Sequence, residues 1–404
     1  MAAPFHPRGL RGSASLALRV LALPAALVVF SFTVRRFVFA LAALHATADE
    51  PRENVALPDV TLFVPARNEE STVHAALDAL DRLDYPGERL TIVFVDDASS
   101  DSTGLILDAW CEARAHAQVL HLPSPVGKYE ALNIGIRSTP PTSIVAVCDA
   151  DVRPRPSWLR SLAYPFAAHG VGAVAGYLSP VNADDGTVSR YAAVEAWVHQ
   201  LVTSAGKDAL GLDPPTLGAC AYRRTALDQV GLFGSSVSGE DVRISAALTR
   251  AGWRIRFVEG AVADNSVVRT WRDYWHQHLR WARNVFASAP AAVAVPWARR
   301  GSVAQRVESR LAAAGYADRV ALLLVVGAAR ARVLPRSVPI GYGIVAAAEV
   351  VVAVTKAGHV RRLPRFLMAT FALFGVDVLA STAASLAHAL RLPRTWRQPR
   401  RFPT

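Results

Sequence analysis

Two carboxylates one residue apart, Asp149 and Asp151, directly follow the apolar run SIVAVC at 143–148. Side chains two apart in an extended segment share a face, so both could approach one ion or its water ligands. Such a pair suits a hard divalent cation, Mg2+ or Mn2+, of the kind that neutralises charge on a leaving diphosphate. Alone the D-x-D pattern is weak, because acidic residues at strand ends are common turn formers. Its position after a buried strand strengthens the metal reading.

Four other places carry candidate chemistry. In VDDASSDST, Asp96 and Asp97 follow another apolar run and either cap a helix beginning near Ser102 or accept hydrogen bonds from a nucleotide base or ribose. In SPVGKYEALNIGI, Lys128 follows a glycine at a helix start, where backbone N–H groups and a cation can face phosphate. Lysine occurs only at 128, 207 and 356, which makes its use here notable. Glu240 and Asp241 open an amphipathic helix; the helix dipole favours acids there, and Asp241 is also placed to act as general base toward an acceptor hydroxyl. Finally, WRDYWHQHLRWARN puts Gln277, Arg280 and Trp281 at i, i+3 and i+4 on one helical face, either as an interfacial helix or as a polar grip on ligand.

These residues need a frame. DVTLFV (59–64), LTIVFV (90–95), a short stretch at 118–121 and SIVAVC (143–148) read as strands. Helical periodicity between them, around 73–83, 102–115 and 129–137, gives a βαβα order. That order predicts an α/β domain over 51–290, with a mostly parallel sheet and helices on both faces. Ligands on such sheets bind beyond the carboxyl ends of the strands, where the acidic residues stand.

Charge and hydropathy divide the 404 residues further. The first 50 residues carry 5 basic and 2 acidic groups, 51–290 carry 22 and 27, and 291–404 carry 17 and 4. The positive excess therefore flanks apolar segments, as expected next to anionic membrane lipid, and the acidic middle excludes a nucleic-acid-binding stripe. An apolar run at 20–34, interrupted by Arg35 and Arg36 and resumed at 37–46, suggests a retained N-terminal anchor within 1–50. Segments 338–355 and 366–390 are long enough to span a membrane, whereas 320–329 reads equally as a span or an interfacial helix. Glu349 and Asp377 fall inside the two spans, either lining a path or pairing with a neighbouring helix, and a basic tail follows Arg391. Three cysteines without C-x-x-C spacing imply free thiols.

In order, FVPARNEE, VDDASSDS, GKYEALNIG, DAD, GACAYRRTALDQVGLFG, GED followed by AGWRIRFV, and QHLRW resemble the family-2 glycosyltransferases. The likeness is to the membrane group of hyaluronan, cellulose, chitin-oligosaccharide and poly-N-acetylglucosamine synthases, and it covers about 59–286. It implies a GT-A fold, a nucleoside-diphosphate sugar donor (usually UDP-linked), Mg2+ or Mn2+, and inversion at the anomeric carbon. Carried over residue by residue, Asp97, with Asp96 beside it, resembles the nucleotide contact and Lys128 a donor contact. Asp149 and Asp151 resemble the donor and metal motif, and Asp241 the catalytic base. Glu240, Gln277, Arg280 and Trp281 match the acceptor and diphosphate side. The chain departs from the family in Gly239 where threonine is frequent and in the absence of a proline in ADNSVVRT (263–270), which bears on acceptor identity.

The expected product is a growing polysaccharide or oligosaccharide at the cell membrane, made by a cytoplasmic domain on a multi-pass protein. Transfer of one sugar to a lipid or polyprenyl-phosphate acceptor is the alternative, and a noncatalytic membrane scaffold the second. The expected partners are a nucleotide sugar, a saccharide or lipid acceptor and membrane lipid, with no nucleic acid.

Overall fold

The structure, a computed structural model, describes residues 8–46, 56–216, 218–234, 240–293 and 302–389. The chain begins with a single long helix, α1 (Arg8–His45), and then enters the sheet domain. There β1 (Val60–Ala66), α2 (Val73–Leu80), β2 (Leu90–Asp96), α3 (Thr103–Glu112), β3 (Ala117–His121), α4 (Lys128–Ser138) and β4 (Ile144–Cys148) follow the expected alternation. Next come the two-residue β5 (Arg153–Pro154), α5 (Trp158–Ala163), β6 (Val171–Pro180), α6 (Thr187–Trp197) and α7 (Ala205–Ala209), then β7 (Ala219–Arg223), α8 (Arg224–Val230), α9 (Glu240–Ala251) and β8 (Arg254–Asn265). A π-helical segment, Val198–Ser204, joins α6 to α7.

One eight-stranded sheet in the order β3-β2-β1-β4-β7-β6-β8-β5 results. β1 pairs in parallel with β2 and β4, and β2 with β3. β7 runs antiparallel to both β4 and β6, a reversal that the alternation in sequence does not foretell. Alternate residues of each central strand enter opposite cores. Leu62, Val64, Ile92, Phe94 and Ala146 pack with α2, α3 and α5, while Phe63, Val93, Val95 and Val145 pack with α4, α8 and α9. A strand buried on both faces reads as continuous apolar sequence, which is why these runs show no polar alternation.

Beyond the sheet stand α10 (Trp271–Val293), which continues through residue 290, and α11 (Val303–Ala314), α12 (Ala317–Arg330), α13 (Ser337–Lys356) and α14 (Leu363–Ala389). Three segments, Arg19–His45, Ser337–Lys356 and Val360–Leu386, are long and apolar enough to cross a membrane; α11 and α12, bent by 73°, form a fourth if counted as one broken span. The basic tail from Arg391 lies outside the described residues.

The interruption at Arg35 and Arg36 does not break α1. Arg36 meets Glu349 at 2.6 Å and Asp318 at 3.2 Å, and Arg35 meets Glu308 at 2.8 Å. Arg319 likewise holds Asp377 at 2.5 Å. An unpaired charge in an apolar bundle would cost several kcal/mol, so the arginines of α1 are matched by carboxylates from α11, α12 and α13. Glu349 and Asp377 thus both pair with neighbouring helices.

The sheet domain is fastened to this bundle through a shared core. Ala175, Tyr177 and Phe257 of the sheet pack with Trp197, Leu201 and Val202, and these with Ala40 and Ala43 of α1, Val354 of α13 and Phe366 of α14. At Gly206 the approach to α1 is so close that a Cβ would stand 2.5 Å from the Phe39 carbonyl oxygen. Gly206→Ala should therefore force α7 off α1 and destabilise the protein by about 1–3 kcal/mol, the usual cost of overpacking. A melting temperature in detergent equal to that of the parent would contradict this contact.

Candidate functional site

At the carboxyl end of β4 the chain turns at Asp149, whose N–H donates to the Gly218 carbonyl at 3.0 Å and whose own carbonyl accepts from Val152 N at 3.0 Å. Gly218 leaves room for the Asp149 carboxylate, since a Cβ would lie 2.5 Å from Asp149 Oδ2 and push it aside. Lys128, the first residue of α4, reaches across to Asp149 Oδ1 at 2.5 Å. Its placement depends on Asp97, whose two carboxylate oxygens accept the backbone N–H groups of Val126 (2.7 Å) and Gly127 (2.9 Å). Gly127 takes a left-handed φ of 89°, allowing the loop to close into the helix.

Asp96, the last residue of β2, and Asp97, which follows the strand, face different ways. Asp97 lines the cavity described below, whereas Asp96 is not among its lining residues: its carboxylate accepts from Ser99 N at 3.0 Å and meets His121 Nδ1 at 2.9 Å. The donor contact expected at Asp96 thus falls on a residue engaged with Ser99 and His121 instead of the cavity.

Burial, and after it the charge of Asp149, pushes Asp151 up to about 6. Two carboxylates on one cavity wall offer the oxygen ligands that a hard divalent cation takes, and Gly218, without a Cβ, leaves room beside Asp149 Oδ2. Asp149 and Asp151 thus fit the group expected from sequence.

Asp241 sits in the first turn of α9. Burial raises its pKa above the usual carboxylate value, Lys128 opposes the shift, Asp149 adds to it, and a hydrogen bond from Tyr129 opposes it. That bond, Tyr129 Oη to Asp241 Oδ1 at 3.2 Å, was not foreseen. The only hint in the sequence is the position of Tyr129 directly after Lys128. The Glu240 side chain lies outside the described residues.

Gln277, Arg280 and Trp281 of α10 all face the same cavity. Among the described residues Arg280 has no carboxylate partner and its buried Nε makes no hydrogen bond; burial pulls its pKa below the usual arginine value. The intervening His278 borders the cavity too, packs edge-on against Trp281 at 5.1 Å and joins a second cluster. It meets Glu195 at 3.0 Å, and although burial alone would lower its pKa, that carboxylate raises it. Glu195, His278 and Asp377 offer atoms within 4.8 Å of one another. With Arg319 at 2.5 Å from Asp377, however, the positive charge this cluster needs is already supplied by protein.

Lys128, Asp149, Asp151, Asp241, Gln277 and Arg280 border one cavity of about 1690 Å³ that continues among α1 and α11 to α14. The arrangement offers a carboxylate pair for a cation, a guanidinium with a free Nε among the described residues for an anion, and a buried carboxylate tuned toward proton uptake.

Comparison with known proteins agrees with this geometry. Residues 58–284 match the model described as "Glycosyltransferase like family 2". A probable glycosyltransferase of Bacillus subtilis is 30% identical over 57% of this chain and 56% of its own length. An N-acetylglucosaminyltransferase of Rhizobium meliloti is 32% identical over 60% and 59%. A pre-mycofactocin glycosyltransferase of Mycobacterium tuberculosis is 29% identical over 86% of this chain and 67% of its own. The matched region thus spans less than two thirds of the length of the first two relatives. In fold, the chain superposes on a mannosyltransferase of Pyrobaculum calidifontis, solved with GDP-Man and Mn2+, with a TM-score of 0.65 and 21% identity over 93% of this chain and all of that one. The sheet is a GT-A fold, and the chain belongs to glycosyltransferase family 2.

Tyr129→Phe removes a donor that favours the ionised form of Asp241, so the Asp241 pKa should rise further. If Asp241 must be ionised for turnover, the acid limb of the pH–rate profile will move to higher pH in this variant. An unmoved limb would disconnect Asp241 from the titration that governs rate.

Proposed function

We propose that the chain is an inverting transferase that moves a sugar from a nucleoside-diphosphate sugar to an acceptor hydroxyl held at the membrane. The observation that carries this reading is the meeting, on one cavity wall, of the Asp149 and Asp151 pair, Lys128, Arg280 and the buried Asp241. The relative named for N-acetylglucosamine transfer and the fold neighbour solved with GDP-Man support an N-acetylhexosaminyl or hexosyl donor, with UDP the expected nucleotide. Placement on the cytoplasmic side of the cell membrane rests on the cytosolic supply of such donors and on three free cysteines.

Asp149 and Asp151 would hold the metal, Mg2+ or Mn2+, which when bound neutralises the leaving diphosphate. Lys128 and Arg280 add positive charge on either side of that leaving group, Lys128 from the start of α4 and Arg280 from α10. Asp97 fixes the loop that presents Lys128 and borders the space for the nucleotide. Gln277 and Trp281 flank the acceptor side. Asp241 accepts the proton of the acceptor hydroxyl as that oxygen bonds to the anomeric carbon and the bond from that carbon to the diphosphate oxygen breaks. Burial of Asp241 serves this step, because a base works best when its pKa approaches the working pH.

Polymer or oligosaccharide synthesis and single addition to a lipid share this chemistry and differ in acceptor. A noncatalytic scaffold gives no reason for the carboxylates, lysine and arginine to converge.

Asp241→Asn keeps shape and removes basicity. Transfer should fall by roughly 100-fold to 10,000-fold, the contribution of a positioned general base, while donor affinity stays near that of the parent. Near-parental turnover would remove Asp241 as the base, since asparagine serves equally well as a helix cap. Asp151→Asn should instead weaken donor binding, and undiminished donor affinity in excess chelator would sink the metal role.

A further inference from the structure

Ligand cavities for small molecules usually enclose ~300–1000 Å³, so about 1690 Å³ exceeds what one donor fills. The surplus lies among the membrane helices. There Leu322 and Val326 of α12, Val350 of α13, and Phe371 and Phe374 of α14 line the cavity. Phe371 is 75% exposed, so this arm is open rather than sealed within the bundle.

Between the apolar arm and the donor carboxylates stands a group with no role in the chemistry above. Arg35 and Lys207 share one carboxylate, Glu308, at 2.8 and 2.7 Å. The next carboxylate acting on Lys207, Asp213, is already held by Arg254 at 3.1 Å and by the backbone N–H of Ile255 at 3.0 Å. Three cations against two anions leave one positive charge over. His199, on the π-helical segment, lines the cavity beside them and is exposed to it. Single turns of π-helix are frequent at functional sites.

We infer that the membrane arm binds a lipid-borne acceptor, an amphiphile with its apolar chain among α12 to α14, an anionic phosphate against Arg35, Lys207 and His199, and a hydroxyl-bearing head reaching Asp241. This rests on the proposed transfer and names its acceptor class. A free saccharide has no use for the apolar walls. The ion pairs Arg36 with Glu349 and Arg319 with Asp377 tie α1 to α13 and α12 to α14.

The test titrates the full chain, in neutral-lipid nanodiscs, with hexadecyl phosphate, hexadecanol and inorganic phosphate, counting bound molecules by native mass spectrometry. Hexadecyl phosphate should bind one per chain and at least roughly tenfold more tightly than hexadecanol, reflecting charge-assisted hydrogen bonds. Inorganic phosphate should not displace it. Lys207→Gln should reduce its affinity to that of the alcohol. His199→Ala, which removes a side chain facing open space, should weaken it with no change in melting temperature. Equal binding of phosphate and alcohol, displacement by inorganic phosphate, or indifference to both variants would overturn the inference. Donor affinity measured in parallel separates the two readings: its loss with amphiphile binding intact counts against the donor site, and the converse counts against the acceptor arm.

Discussion

Every charge that this chain withdraws from water has to be balanced, and that constraint shapes both halves of the molecule. Deep in the bundle the partners come from the protein itself: Arg36 faces Glu349 and Asp318, and Arg319 faces Asp377. Such pairs add little net stability, but removing one partner strands the other, so they fix which helices sit together. At the sheet edge Asp149 meets Lys128, Asp151 stands on the same cavity wall, and the buried Nε of Arg280 makes no hydrogen bond among the described residues. Groups of both signs facing one cavity are what a metal diphosphate would engage.

The shared core between sheet and bundle makes these two regimes one structure. Trp197 packs edge-on against Phe366 of α14 and stacks on His359, while the same cluster includes Ala175 and Phe257 of the sheet. The sheet domain and the apolar helices are thereby held in fixed relation, and the cavity runs from one to the other without a break. The tight approach of Gly206 to Phe39 belongs to the same fastening.

Much of this was legible in the residues. Doubly buried strands write themselves as apolar runs, so β1, β2, β3 and β4 and the helices between them stand within a few residues of where periodicity put them. The D-x-D pair, Lys128, Asp241 and the face of α10 were each found by type and spacing, and all border one cavity. What could not be read depends on contacts far apart in the chain. The antiparallel β7 is five residues long and carries no mark of its direction. Asp96 and Asp97 look alike in sequence, and only the folded chain decides which one meets the cavity. Partners such as Arg35 and Glu308, 273 residues apart, have no local signature.

The account's central claim is that this wall turns over a nucleotide sugar. Its most direct test is a panel of UDP- and GDP-linked hexoses and N-acetylhexosamines, offered with Mn2+ to the purified full chain in native membrane lipid, with nucleotide release and product mass both recorded. The account predicts release of a nucleoside diphosphate from at least one donor, abolished by chelator, with one sugar mass added to an acceptor. Retention of every donor intact by a folded, lipid-supplied protein would contradict it.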